Sequence, residues 1–234
     1  MEPLFSLQNI HFSYEDAWLL RDVSLALHPG ERVGITGDNG CGKSTLLNIG
    51  AGLLPPPRGR VLFQGRACVS PADFARLRRS LGYLLQNAED MLFCPTVLED
   101  LAFGPVNYGA SDAEAGERAR ALLEQLGLSR LAARNAHNLS GGEQKLAALA
   151  AILAPEPDFL FLDEPTNELD KHARALLITI LEQTALPAII VSHDRAFLET
   201  VCNRLFQMEN GTLTAIEPNT PSRQKTPTPT AGCV

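Results

Sequence analysis

Gly37-Asp38-Asn39-Gly40-Cys41-Gly42-Lys43-Ser44-Thr45 is the stretch that decides how this chain folds. Its spacing is G-x-x-x-x-G-K-[ST]. The strand-like run Arg32-Val33-Gly34-Ile35-Thr36 precedes it, and the apolar run Leu46-Leu47-Asn48-Ile49 follows. Strand, glycine loop and helix start are the setting in which this spacing cradles phosphate. The loop from Gly37 through Asn39, Gly40, Cys41 and Gly42 can turn its backbone N–H groups inward, and the helix N-terminus adds partial positive charge. Lys43 is expected to reach the β- and γ-phosphates, and the Ser44 hydroxyl to hold Mg²⁺. Thr45 adds a phosphate contact from the first helical turn. A chance match in a chain of this length has odds of roughly one in a hundred, and the flanking strand and helix lower them.

A carboxylate pair follows downstream. Phe159-Leu160-Phe161-Leu162 is a continuous apolar run, as expected of a strand buried on both faces of a parallel sheet. It ends in Asp163-Glu164-Pro165-Thr166, which puts the acids at the carboxyl end of the strand, the ligand side of an open α/β sheet. There Asp163 can hold the metal's water shell, and Glu164 can orient or deprotonate an attacking water. An Asp-Glu turn by itself is more often merely solvated; beside a phosphate cradle the odds reverse.

Leu139-Ser140-Gly141-Gly142-Glu143 carries a further signal. Ser140 is a good N-cap, and Gly141-Gly142 opens a helical run to Ala154. The result is a second helix N-terminus with free N–H groups suited to phosphate. The first helix already serves the phosphates from one side. The second is therefore most useful against nucleotide on another protomer, so that two chains head to tail bury two ATP molecules.

With these elements in this order, the chain resembles the ATP-binding subunits of ABC transporters over residues 4–214. The resemblance implies a P-loop α/β fold with a RecA-like core, an antiparallel β portion and an inserted helical subdomain at about 87–154, within an ATPase domain of residues 1–217. It implies ATP and Mg²⁺ as cofactors and ATP hydrolysis coupled to transport. Tyr14 is similar to the aromatic that stacks on adenine, although a strand aromatic is more often core. Gln86 is similar to the glutamine that contacts Mg²⁺ and water and links the site to a membrane partner. His193, in Val191-Ser192-His193-Asp194, matches the histidine that senses the γ-phosphate. Ser140, Gly141 and Gly142 match the signature loop, and Asn167-Glu168-Leu169-Asp170 the D-loop. Leu146 and Ala151 depart from the arginines common in the family, and Glu143 from its glutamine.

The segment Gln86 to Pro105 points to a subtype. Its Leu92-Phe93-Cys94-Pro95-Thr96-Val97 wording is similar to energy-coupling-factor ATPases, most of all the nickel/cobalt branch. Biotin, riboflavin and general vitamin modules use close variants. Glu164-Pro165-Thr166-Asn167 and Ser192-His193-Asp194-Arg195 also echo soluble ABC proteins that act on ribosomes, which carry two ATPase domains per chain. The expected partners are a second ATPase subunit and transmembrane subunits, the latter meeting the Gln86 to Phe103 region through Met91, Leu92 and Phe93. The alternative for those three side chains is a satellite core.

Composition bounds the function further. With 234 residues and 45% hydrophobic content there is room for one domain-sized core. No stretch approaches the roughly 20 apolar residues needed to span a bilayer. Met1-Glu2-Pro3-Leu4 lacks the basic start of a secretory signal, so the chain is expected on the cytoplasmic face of a membrane, held there by partners. A net charge of −7 argues against nucleic acid as a partner. Five scattered cysteines and five scattered histidines make neither a disulfide framework nor a metal box, so a metal cargo is not expected to bind this chain. Residues 218–234, with Pro218, Pro221, Pro227 and Pro229 among threonines, are expected to be a disordered tail.

Overall fold

The computed structural model describes residues 2–14 and 17–217; the tail expectation lies outside them. Two sheets organise the molecule. The first is antiparallel and four-stranded, with β1 (Phe5–Tyr14), β2 (Ala17–Leu27), β4 (Arg58–Phe63) and β5 (Arg66–Ala67) in the order β2-β1-β4-β5. The second has six strands: β3 (Arg32–Thr36), β6 (Leu81–Leu84), β7 (Phe159–Asp163), β8 (Ala188–Val191), β9 (Arg204–Glu209) and β10 (Thr212–Ile216). Its order is β10-β9-β3-β8-β7-β6, parallel throughout except for the β9–β10 hairpin at one edge. Five adjacent parallel strands, β9, β3, β8, β7 and β6, thus deliver their carboxyl ends to one rim.

Strand β7 divides the core, because successive side chains point to opposite faces. Phe159 and Phe161 face the antiparallel sheet, where Phe5 stacks on Phe159 with ring centroids 5.6 Å apart and meets Phe161 edge-on at 5.2 Å. Leu160 and Leu162 face the opposite side, toward the helices. The continuous apolar run read from the sequence is the mark of this double burial.

Helices α1 (Lys43–Gly50) and α2 (Pro71–Ser80) lie in the first part of the chain. Helices α3 (Val97–Asn107), α4 (Asp112–Gln125) and α5 (Gly141–Leu153) form the helical insertion between β6 and β7. Four of these five begin with matched sequence signals. Ser70 with Asp73, Thr96 with Glu99, Ser111 with Glu114 and Ser140 with Glu143 each close a capping box, satisfying two otherwise orphaned backbone donors. Helices α6 (Lys171–Thr184) and α7 (Arg195–Val201) complete the core.

One expectation needs correction. Met91, Leu92 and Phe93 do not line an apolar surface together. Leu92 is buried in the helical-side core and Met91 packs against that core half-buried. Phe93 alone of the three is exposed, at 64%. The cause is local: buried Asp100 accepts hydrogen bonds from the backbone N–H groups of Phe93 and Cys94 at 3.0 and 2.9 Å. That clamp folds the segment into a tight turn with Leu92 pointing in and Phe93 out. The exposed ring meets half-exposed Phe103 of α3 edge-on, centroids 4.8 Å apart.

Candidate nucleotide site

The phosphate cradle forms where β3 passes into α1. Gly42 caps the helix in a left-handed conformation, φ 107°. A Cβ on Gly42 would stand 2.8 Å from Leu20 Cδ2, and one on Gly37 only 2.4 Å from the Met208 carbonyl oxygen, so neither position has room for a side chain. Lys43 is buried, and its ammonium curls back onto the loop, donating to the carbonyls of Gly37 (2.7 Å) and Asp38 (3.0 Å). It thus rests where phosphate oxygens can replace those two acceptors.

The acids stand opposite. Asp163 ends β7, 3% exposed, with Oδ1 lacking any hydrogen-bond partner. Burial pushes its carboxyl above the usual range; the Ser44 hydroxyl beside it works against that shift, and the neighbouring Glu164 charge adds to it. An orphaned carboxylate oxygen next to a serine hydroxyl is the donor chemistry Mg²⁺ takes, one or two protein oxygens with water and phosphate filling the remainder. Among the described residues no cluster of three or more His, Cys, Asp or Glu could hold an ion without such help. The residues therefore fit a metal that arrives with a nucleotide.

Glu164 is held more tightly. It adopts φ 47°, a left-handed conformation that costs energy outside glycine and turns its side chain back over the strand end. Its Oε2 accepts from the His193 backbone N–H at 3.2 Å and lies 2.9 Å from His193 Nδ1. Its Oε1 stands 3.9 Å from Lys43 Nζ. His193 follows β8 and is itself framed: Ser192 is buried, its hydroxyl accepting from Asp194 N–H at 3.1 Å, while Asp194 caps α7 and pairs with Arg174 at 2.7 Å.

Lys43, Ser44, Thr45, Asn39, Gly40 and Gly42 line one cavity of about 580 Å³ with Tyr14, Gln86, Glu164 and His193. Tyr14 is not the core aromatic its strand position allows; it is 56% exposed at the cavity rim, braced edge-on by Phe12. Leu19 and Asn167 join the lining. Leu19 carried no sequence signal beyond an apolar residue in a strand. Cys41 turns instead to a neighbouring groove beside Trp18 and Met208, and Gly37 enters the site only through its carbonyl. Asp163 sits behind Ser44 rather than on the cavity wall.

Ser140, Gly141 and Gly142 are not brought into this cavity. They line a separate one of about 320 Å³, together with Glu168 and Asp170. Within one chain, the second helix N-terminus has no nucleotide site to face.

The comparisons with known proteins agree with this geometry. A family model described as "ABC transporter" matches residues 20–167. An ABC transporter ATP-binding protein of Nitratidesulfovibrio vulgaris is 48% identical over 211 residues, covering 89% of this chain and 77% of that protein. The chain belongs to the ABC transporter ATP-binding family. Its members bind and hydrolyse ATP, commonly with Mg²⁺, as dimers joined to transmembrane subunits. The energy-coupling factor transporter ATP-binding protein EcfA of Methanothermobacter thermautotrophicus is 39% identical over 217 residues, 91% of this chain and 70% of EcfA. Among solved structures, cbiO1 of Clostridium perfringens, part of the ABC transporter complex cbiONQ, superposes with TM-score 0.81 at 31% identity, covering 92% of this chain and 88% of that one. A dimeric ATP-binding cassette in a post-hydrolysis state with ADP and phosphate superposes with TM-score 0.80 at 26% identity, over 92% and 99% of the two chains. The α/β ABC ATPase fold, antiparallel portion and helical insertion included, is the fold of this protein. Among the described residues no helix is long and apolar enough to cross a membrane.

Proposed function

We propose that this chain is the ATP-hydrolysing subunit of an energy-coupling-factor-type importer, of the nickel/cobalt branch, working as a dimer on the cytoplasmic face of a membrane. The observation that carries the ATPase part is the split between the two cavities: cradle, acids and histidine in one, signature loop in the other. Each chain then holds ATP in its own cradle and covers its partner's with Ser140, Gly141 and Gly142. The likeness to EcfA and cbiO1 supports the importer class. The Leu92-Phe93-Cys94-Pro95-Thr96-Val97 wording supports the nickel/cobalt branch.

In this reading the adenine stacks on Tyr14. The backbone from Gly37 to Gly42 and the Thr45 hydroxyl bind the phosphates. Lys43 leaves the carbonyls of Gly37 and Asp38 for the β- and γ-phosphate oxygens. Ser44, with Asp163 and Gln86 nearby, would hold Mg²⁺, which would supply charge neutralisation on the phosphates. Moving Lys43 onto phosphate also releases Glu164 Oε1 from its 3.9 Å pairing. Glu164 can then accept a hydrogen bond from the attacking water and take its proton as oxygen bonds to the γ-phosphorus and ADP departs. His193 holds Glu164 in place through its backbone N–H and ring, and faces the γ-phosphate. Phe93 and Phe103 form the exposed apolar contact for a transmembrane subunit.

The test is recovery from detergent-solubilised membranes with its partners, followed by uptake of radioactive nickel and cobalt into cells carrying or lacking the chain. Co-purification with a membrane protein and ATP-dependent metal uptake are expected. Partnership with soluble proteins alone, or uptake of a vitamin instead of either metal, would overturn the class or the cargo respectively.

A further inference from the structure

Lys145 is a buried cation that the hydrolytic reading leaves unused. It stands in the second turn of α5, 3% exposed. Leu146, Ala147, Ala148, Leu149 and Ala150 beside it are all buried as well, so this part of the helix has no wet face for the ammonium to reach. Burial pulls the Lys145 ammonium below its ordinary value, and the charges of Glu168, Asp163 and Glu164 pull it back up. A buried ammonium is costly unless paired and hydrogen-bonded. Packing alone is served better by leucine or methionine, so the position calls for a use.

Its contacts supply one. Nζ donates to the backbone carbonyl of Gln86, whose side chain lines the nucleotide cavity. Glu168 lies near enough for its charge to favour the Lys145 ammonium. The Glu168 carboxylate in turn rests against the signature loop: a Cβ on Gly141 would stand 2.9 Å from Glu168 Oε2. Glu168 itself is held in a left-handed conformation, φ 66°. Lys145 therefore touches the loop that borders this chain's own cradle cavity, while its helix, one turn earlier, carries Ser140 and Gly141 of the separate cavity. A helix is stiff over one turn, so a displacement of the Gln86 backbone would be passed through Lys145 to Ser140 and Gly141.

We propose that Lys145 is a positioning residue that ties the Gln86 loop to α5, so that nucleotide in a chain's own cradle sets the orientation of the signature loop it offers to the partner chain. The inference rests on the dimeric reading above. It predicts that removing the ammonium uncouples the two sites without emptying either. Lys145→Met keeps the stem and removes the donor. ATP affinity of the isolated chain, measured by calorimetry, should stay within about twofold, because Lys145 touches no nucleotide-facing side chain. The kcat should fall by about tenfold or more, the scale of one lost charge-assisted hydrogen bond. The Hill coefficient for ATP should drop from about 2 toward 1, as expected when two sites cease to communicate. Lys145→Gln, which keeps a shorter donor, should recover part of both and serves as the test variant should Lys145→Met not fold.

A merely structural lysine gives a different pattern: the melting temperature moves while kcat and the Hill coefficient per folded protein stay at wild-type values. That outcome overturns the inference. The dimeric reading is tested separately, with native Lys145, by ATP-dependent dimerisation of Glu164→Gln on a sizing column. Failure there sinks the dimer; success there with a cooperative, fully active Lys145 variant sinks only the role of Lys145.

Discussion

His193 Nδ1 lies 2.9 Å from Glu164 Oε2, and the His193 backbone N–H donates to the same oxygen at 3.2 Å. One carboxylate oxygen is thus held by two nitrogens of a single residue, while the other, Oε1, faces Lys43. Held this way, Glu164 has one oxygen committed to geometry and one available for chemistry.

Glu164→Gln keeps this shape and removes the base. ATP binding should persist while turnover falls by about a hundredfold or more, the usual share of a general base. ATP should then hold a closed dimer, visible by light scattering. Hydrolysis at the wild-type rate would remove Glu164 from the chemistry.

Ser140→Arg puts bulk and charge at the cap of α5, away from the chain's own cradle. Dimer closure and hydrolysis should be lost with nucleotide affinity of the monomer nearly unchanged. Should monomer affinity fall as far as turnover, the signature loop acts within one chain.

Tyr14 is exposed at the cavity rim, and Phe12 sets its ring edge-on. Tyr14→Ala should weaken ATP binding by about 1–2 kcal/mol, on the scale of base–aromatic stacking, and Tyr14→Trp should be tolerated. Calorimetry decides it; equal affinities for wild type and Tyr14→Ala would end the stacking role.

The turn clamped by Asp100 separates two effects that the sequence runs together. Leu92→Ala should destabilise the fold by about 2–5 kcal/mol, as for a buried leucine, measurable by denaturant titration. Phe93→Ser with Phe103→Ser should leave stability and the ATPase rate of the isolated chain intact, yet abolish membrane recruitment and any rise in that rate when the transmembrane subunit is added. Full stimulation of the double variant would move the coupling surface elsewhere.

Much of this site is legible because its signals are local. A glycine loop between strand and helix, an apolar run ending in two acids, and serine caps three residues before an acid each fix their own backbone. Arg32–Thr36 and Ala188–Val191 likewise form the strands that their composition indicates. The remainder depends on what packs across. The β9–β10 hairpin is signalled by Asn210-Gly211, both at positive φ, but its strands carry too little alternation to stand out. Only the Asp100 clamp tells Leu92 from Phe93. Lys145 reads as an ordinary helical lysine until neighbours close over every side of α5.

Strand β7 makes the site a gauge. Phe5 and Phe63, from the sheet that bears Tyr14, grip Phe159 on the strand whose end bears Asp163 and Glu164. On the proposed reading, the rim for the base and the acids at the far end sit on two sheets locked together by those rings, so the span between them is set by that packing. On that reading, a nucleotide with one phosphate too few would leave Glu164 facing water across a gap that the packed rings hold open.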